Sequence, residues 1–241
     1  MIQSEKKAGS MAKSKITVMV VTPHPDDAEF GAAGTVATWV QQGREVIYIV
    51  CTNGDKGSSN PSMTSERLAR IRQQEQLEAA KTLGVSQVIF LNRPDGSLED
   101  TPEFRGEIVR QIRKYRPDIV ITSDPYRRFP WHRDHRITGI VTQDAVFPYA
   151  RDRLFYPEQV AEGLAPHKVK EVYLWGSQDA DTFIDITETF ALKLAALGCH
   201  VSQTGQNFEN VKQWVEERAL QAGQSHGVPL AEAFRRIEIS Y

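Results

Sequence analysis

Four short apolar segments rich in Val and Ile set the rhythm of the chain. They are KITVMVVT (15–22), EVIYIVCT (45–52), QVIFL (87–91) and DIVITS (118–123). Their apolar positions are continuous rather than alternating, as in strands buried on both faces of a parallel sheet. EVYLW (171–175) and TFIDIT (182–187) repeat the pattern more weakly. Between the strands, apolar residues recur at helical spacing over 29–42, 64–83 and 102–115. Gly43, Gly84 and Pro117 follow these stretches as stop signals. Glycine accepts the left-handed turn that ends a helix, and proline cannot continue one. A fourth helix is expected after His135, and others over 188–199 and 207–222.

Strand–helix alternation predicts right-handed βαβ units wound on both faces of one sheet. The expected fold is α/β: a single-domain, Rossmann-like three-layer fold with a mostly parallel central sheet. No break divides the chain, so one domain is expected over 15–241. Residues 1–14 read as a flexible tail, with Met11 as an alternative start. In such sheets ligands sit beyond the carboxyl ends of the strands, where the strand order reverses. With strand order 3-2-1-4, the loops after the first and fourth strands meet at that crevice.

Composition narrows the function classes. The chain has 241 residues and a formal net charge of -2, so no global basic field points to nucleic acid. No apolar run approaches the roughly 20 residues of a membrane span. The N-terminal segment lacks the apolar core of a signal peptide. Cys51 and Cys199 are far apart and form no CxxC, which suits reduced thiols in a cytoplasmic protein.

The two loops at the expected crevice carry the chemistry. The first reads PHPDDAE (23–29) and the second SDPYRRFPWHRDH (123–135). Helix capping is one reading. Asp26 and Glu29 are spaced as in a capping box, and acidic residues suit a first helical turn. Asp134 could likewise cap the next helix. Capping does not account for His24, nor for a second His/Asp cluster at an adjacent strand end. The other reading is a catalytic metal centre, which takes three His or carboxylate ligands and keeps one position open. His24, Asp27 and His135 make such a set. Asp26 then lies beside the metal as a base for water, and His132 faces the developing oxyanion as an imidazolium. Asp134 would orient His132.

PHPDDAEFGAAGT followed by HRDH resembles the PIG-L/LmbE family of zinc-dependent N-acetylglucosamine deacetylases. The resemblance extends from about Ile16 to Gln203, through TNGDKGS, IRQQEQLEAAKTLGV, FLNRPDGSL, RPDIVITSDP and HVSQ. It implies Zn2+, or another divalent ion, on His24, Asp27 and His135. It also implies Asp26 as general base and His132 as oxyanion stabiliser or acid. The implied substrate is a small-molecule amino sugar conjugate, whose N-acetyl group is removed. Neither nucleic acid nor a membrane span is implied, and homo-oligomerisation is left open. Arg133, Pro23 and Asp55 depart from residues common in the family, but none is an implied ligand.

Other residues carry weaker signals. Leu68, Ile71, Ala79 and Leu83 form an apolar stripe in which Arg72 and Glu75 stand as a charged pair. The pair either snorkels at the stripe's edge or sends Arg72 into the crevice held by Glu75. The resemblance makes Arg72 a substrate contact and Asp95 an acceptor for sugar hydroxyls, although Asp95-Gly96 is also a plain turn signal. His200 could end a helix or reach the site. Arg127, Arg128 and Arg133 with Tyr126, Phe129 and Trp131 suggest a rim for an anionic or sugar group. Two further readings stay open: a metal-dependent hydratase on the same fold, and a non-catalytic metal- or ligand-binding module.

Overall fold

The structure, a computed structural model, describes residues 16–129, 132–224 and 226–240. The tail expected over 1–14 and Trp131 lie outside them. Seven strands form one sheet: β1 (Thr17–Thr22), β2 (Glu45–Thr52), β3 (Gln87–Arg93), β4 (Ile119–Ser123), β5 (Glu171–Trp175), β6 (Thr182–Asp185) and β7 (Ala231–Glu238). Their order is β3-β2-β1-β4-β5-β7-β6. The first five are parallel to one another, and β7 runs antiparallel to both β5 and β6. The single α/β domain with its mostly parallel sheet is therefore present, with β1 and β4 paired directly.

Successive residues of a strand face opposite sides, so each central strand must be apolar throughout. Val18 and Val20 of β1 pack with Ala32, Val36 and Leu83 on one side. Met19 and Val21 pack with Phe104, Ile108 and Val141 on the other. The first layer holds α1 (Asp27–Gln41), α2 (Ser65–Leu83) and later α6 (Phe190–Gly198). The second holds α3 (Pro102–Tyr115) and α4 (Arg133–Asp144). Short helices α5 (Pro157–Ala161) and α7 (Val201–Thr204) connect these elements, and α8 (Phe208–Gln224) covers the sheet near β6 and β7.

Local chemistry sets the helix ends. Thr64 and Thr101 accept the amide hydrogens of Arg67 and Phe104 at the starts of α2 and α3. Gly84 closes α2 at φ 75°. Helix α4 begins at Arg133 rather than after His135. The ring of His132 is its cap, with Nδ1 accepting from the Asp134 amide at 3.1 Å. Cys51 is fully buried, and burial pushes its thiol up to about 12, which makes it inert.

Strand β7 was not expected from the sequence. Its segment AEAFRRIE carries four charged residues, which hide a strand paired on both sides. One of them, Glu232, is buried against Lys193 of α6 at 2.6 Å. Glu232 also accepts from the amides of Gly34 and Thr35, and Lys193 donates to the Phe30 carbonyl at 2.7 Å. This pair pins β7 and α6 to α1. Removing one partner of a buried pair leaves an uncompensated charge, so Lys193→Ala should lower unfolding free energy by about 3–5 kcal/mol. Denaturant midpoints check this, and a loss below about 1 kcal/mol would mean the pair is not what fixes β7.

Candidate active site

The loops after β1 and β4 adjoin because their strands are hydrogen-bonded neighbours. Three imidazoles meet there. The ring of His24 lies 4.8 Å from His132 and 5.3 Å from His135, and His132 lies 5.4 Å from His135. Asp27, the first residue of α1, sits between two of them. Its Oδ2 is 2.8 Å from His24 Nδ1 and 3.1 Å from His135 Nε2. Donors that share one ion at about 2.0–2.2 Å stand roughly 3–3.5 Å apart, so Asp27 Oδ2 lies within reach of an ion held by either imidazole.

The opposite edge of His24 meets carboxylates. Nε2 is 3.0 Å from Asp95 Oδ1 and 3.1 Å from Asp134 Oδ2. Burial opposes charge on His24, but Asp134, Asp27 and Asp95 outweigh it and push its pKa up to about 12. So much negative charge around one buried ring calls for a cation. Two donor groups among the described residues are close enough to hold one: His24 with His132 and His135, and His24 with Asp95 and Asp134. Asp134 is fully buried, and its oxygens already accept the amide hydrogens of Gly96 at 2.7 Å and Leu98 at 3.1 Å.

These contacts correct the expected role of Asp134. Its carboxylate faces His24, and only its backbone amide meets His132. Nor does the carboxylate cap α4. The expected charge of His132 changes too. Burial, then the positive fields of His24 and His135, lower its pKa and favour the neutral ring. With Nδ1 accepting a hydrogen bond, that ring carries its hydrogen on Nε2.

Asp26 is not a capping box residue. Its side chain caps nothing, and its backbone has φ 96° at the junction of β1 and α1. Non-glycine residues seldom adopt such a conformation, and it persists only where the surroundings enforce it. Here Arg72 donates to the Pro25 carbonyl at 2.5 Å, to Asp26 Oδ2 at 3.2 Å and to the Gly54 carbonyl at 3.0 Å. The Asp26 amide donates to Gln76 Oε1 at 3.0 Å. Burial, then the neighbouring Asp27 charge, push Asp26 up to about 7 against the pull of Arg72, His200 and His24. Asp27 moves the other way. Despite burial, His135 and His24 hold it well below the usual carboxylate range.

Arg72 therefore neither snorkels nor pairs with Glu75. It is buried and anchors the loop after β1, and Glu75 instead accepts from the Ser202 amide and hydroxyl at 2.7 and 2.6 Å. Asp95 is also turned inward. Its Oδ2 lies 4.0 Å from Arg72 Nη1, and its amide donates to Asp55 Oδ1. Both side chains thus face the protein's own groups, where the sequence suggested contacts to sugar. His200 is buried one layer behind Asp26. Its Nε2 lies 3.2 Å from Glu29 Oε2, and Glu29 Oε1 accepts from Gln76 at 2.9 Å. Gln76 was missed in the sequence, although it stands one helical turn beyond Arg72 on the same face of α2.

Asp27 and His135 open onto a cavity of about 740 Å³. Trp175 and Gly31 form part of its wall. A Cβ at Gly31 would lie 2.5 Å from the Trp175 ring, so only glycine lets α1 approach β5 this closely.

Known proteins resemble this chain in sequence and in fold. The family model described as PIG-L, GlcNAc-PI de-N-acetylase, matches residues 19–146, more than half of the chain. The diacetylchitobiose deacetylase of Thermococcus kodakarensis is 33% identical over 219 residues, covering 90% of this chain and 82% of the relative. The solved N,N'-diacetylchitobiose deacetylase of Pyrococcus horikoshii superposes with a TM-score of 0.89 at 31% identity, covering 93% of this chain and 85% of that one. The 4-carboxy-2-hydroxymuconate hydratase of Pseudomonas putida KT2440 superposes with a TM-score of 0.79 at 22% identity, covering 94% and 98%. At that identity the likeness is one of fold alone.

Proposed function

The chain belongs to the PIG-L family, and on that premise we propose that it is a metal-dependent N-deacetylase of N-acetylglucosamine conjugates. One observation carries the choice of metal donors. Asp27 and His135 line the open cavity, but Asp134 is fully buried with its oxygens engaged by backbone amides. A catalytic centre must keep a position that water and substrate can reach, so the donors are His24 Nδ1, Asp27 Oδ2 and His135 Nε2. Nε2–H of His24 then donates to Asp134 and Asp95, which fixes the ring's tautomer and orientation. Zinc suits two imidazoles and a carboxylate, although other divalent ions bind such donors.

When bound, the ion supplies Lewis acidity to the amide carbonyl and lowers the pKa of a water molecule. The chain does the rest. Asp26 Oδ2 is held by Arg72, and among the described residues no donor reaches Oδ1, which is left for the water. A carboxylate with a pKa near neutrality can take a proton from the attacking water and return it. As the water oxygen bonds to the acetyl carbon, the carbonyl oxygen becomes negative. The neutral His132 donates its Nε2 hydrogen toward that charge. Protonated Asp26 then delivers its proton to the amide nitrogen. The carbon–nitrogen bond breaks, releasing acetate and the free amine.

Acetate release tests this reading. Metal-loaded enzyme should liberate one acetate per amine from N-acetylglucosaminides, and chelated enzyme should not. Loaded enzyme that releases no acetate from any of a panel of N-acetyl sugars would refute it.

A further inference from the structure

The start of α1 has the residues of a capping box but not its bonds. In that motif the residue before the helix caps with its side chain, and the Glu three residues later accepts its amide hydrogen. Asp26 and Glu29 have this spacing. Yet the Asp26 amide donates to Gln76 Oε1 at 3.0 Å, and Gln76 Nε2 donates to Glu29 Oε1 at 2.9 Å. Gln76 of α2 is interposed between the two, and the Asp26 side chain caps nothing.

The partners of Gln76 set its orientation. An amide side chain has one accepting end and one donating end. The Asp26 N–H needs the acceptor, and the Glu29 carboxylate takes the donor. The other Glu29 oxygen, Oε2, lies 3.2 Å from His200 Nε2. Gln76, Glu29 and His200 are all fully buried, so bulk water replaces none of these contacts. The HVSQ turn secures the group from behind. Ser202 donates to Glu75, the neighbour of Gln76 in α2, and Gln203 Nε2 donates to the Gly57 carbonyl at 3.1 Å.

Asp26 has an ordinary alternative. With the extended backbone usual before a helix, its carboxylate would accept the Ala28 or Glu29 amide hydrogen and cap α1. That conformation relieves the strain of φ 96°, but it also withdraws the carboxylate from the water that it must deprotonate. Arg72 restrains one oxygen of the side chain, and Gln76 restrains the backbone N–H.

We propose that Gln76, oriented by Glu29 and His200, is a positioning residue for the general base. By taking the Asp26 amide hydrogen it keeps the Asp26 carboxylate off the end of α1 and free to serve the water. The task of the base rests on the deacetylase reading, whereas the conformation that Gln76 enforces does not.

The test uses the full chain loaded with zinc. Gln76→Met fills similar space without an acceptor and leaves the Asp26 N–H unpaired. Its kcat should fall about 10²-fold, the cost of misplacing a reacting group by about 1 Å, with KM and metal content retained. Asp26→Asn removes the base itself, so combining it with Gln76→Met should lower kcat little further, because both changes act through one group. Gln76→Asn, which keeps the amide but draws it back from Asp26, carries the same expectations where the methionine variant does not fold. A crystal structure of the variant should show Asp26 in the extended capping conformation, whether or not acetate is released. A kcat near wild type, losses that multiply in the double variant, metal lost along with activity, or Asp26 unmoved in its left-handed turn each overturns the proposal. Wild-type enzyme that releases no acetate refutes the deacetylase reading instead, and the crystal structure then decides the positioning by itself.

Discussion

Replacing Asp26 by Asn should leave the metal in place and lower turnover by about 10²–10⁴-fold, the usual contribution of general acid–base catalysis. Asn preserves the shape of the side chain and can still meet Arg72, so the loop strained at φ 96° keeps its support. What it loses is the ability to take a proton from water and return it to the departing amine. Metal content and acetate release should be measured on one preparation. Full occupancy with a near wild-type rate would remove Asp26 from the chemistry. Loss of the metal would mean that the adjacent aspartates exchange roles.

The second large effect separates the competing donor sets. His24 belongs to every set, so its removal decides nothing. His135→Ala and Asp27→Asn should each abolish stoichiometric metal binding and, with it, activity. Asp134→Asn should bind metal about 10–100-fold more weakly, because Asp134 acts through the orientation of His24. Elemental analysis after dialysis against defined free zinc reads all three. Retention of metal in His135→Ala and Asp27→Asn, with complete loss in Asp134→Asn, would move the centre to His24, Asp95 and Asp134. Added zinc should restore the chelated wild type, which checks that the loss is metal and not unfolding.

Six of the seven strands and the main helices are legible along the chain, because burial on both faces and helical periodicity act on neighbouring residues. The HPDD and HRDH loops are legible for the same reason, since strand order brings the two strand ends together. Strand β7 is not. Its charged residues are accommodated by partners such as Lys193, which lies 39 residues away from Glu232 in sequence.

Patterning along the chain is enough for the α/β layering, for the two strand-end loops and for the residue types available to a metal. Which edge of each side chain meets which partner emerges only when the layers pack. Asp26 reads as either a cap or a base until Arg72 and Gln76 hold it in a left-handed turn where its side chain caps nothing. Asp134 reads as a partner of His132 until the Gly96 and Leu98 amides turn its carboxylate toward His24. Arg72 reads as a partner of Glu75 until the loop carbonyls of Pro25 and Gly54 take its guanidinium. Arg218 has no sequence link to the site, yet it shares a cavity with Asp27 and His135. Periodicity is a local property of the chain. The hydrogen bonds and fields that assign a polar side chain its role come from residues far apart in sequence, and they exist only once the layers have packed.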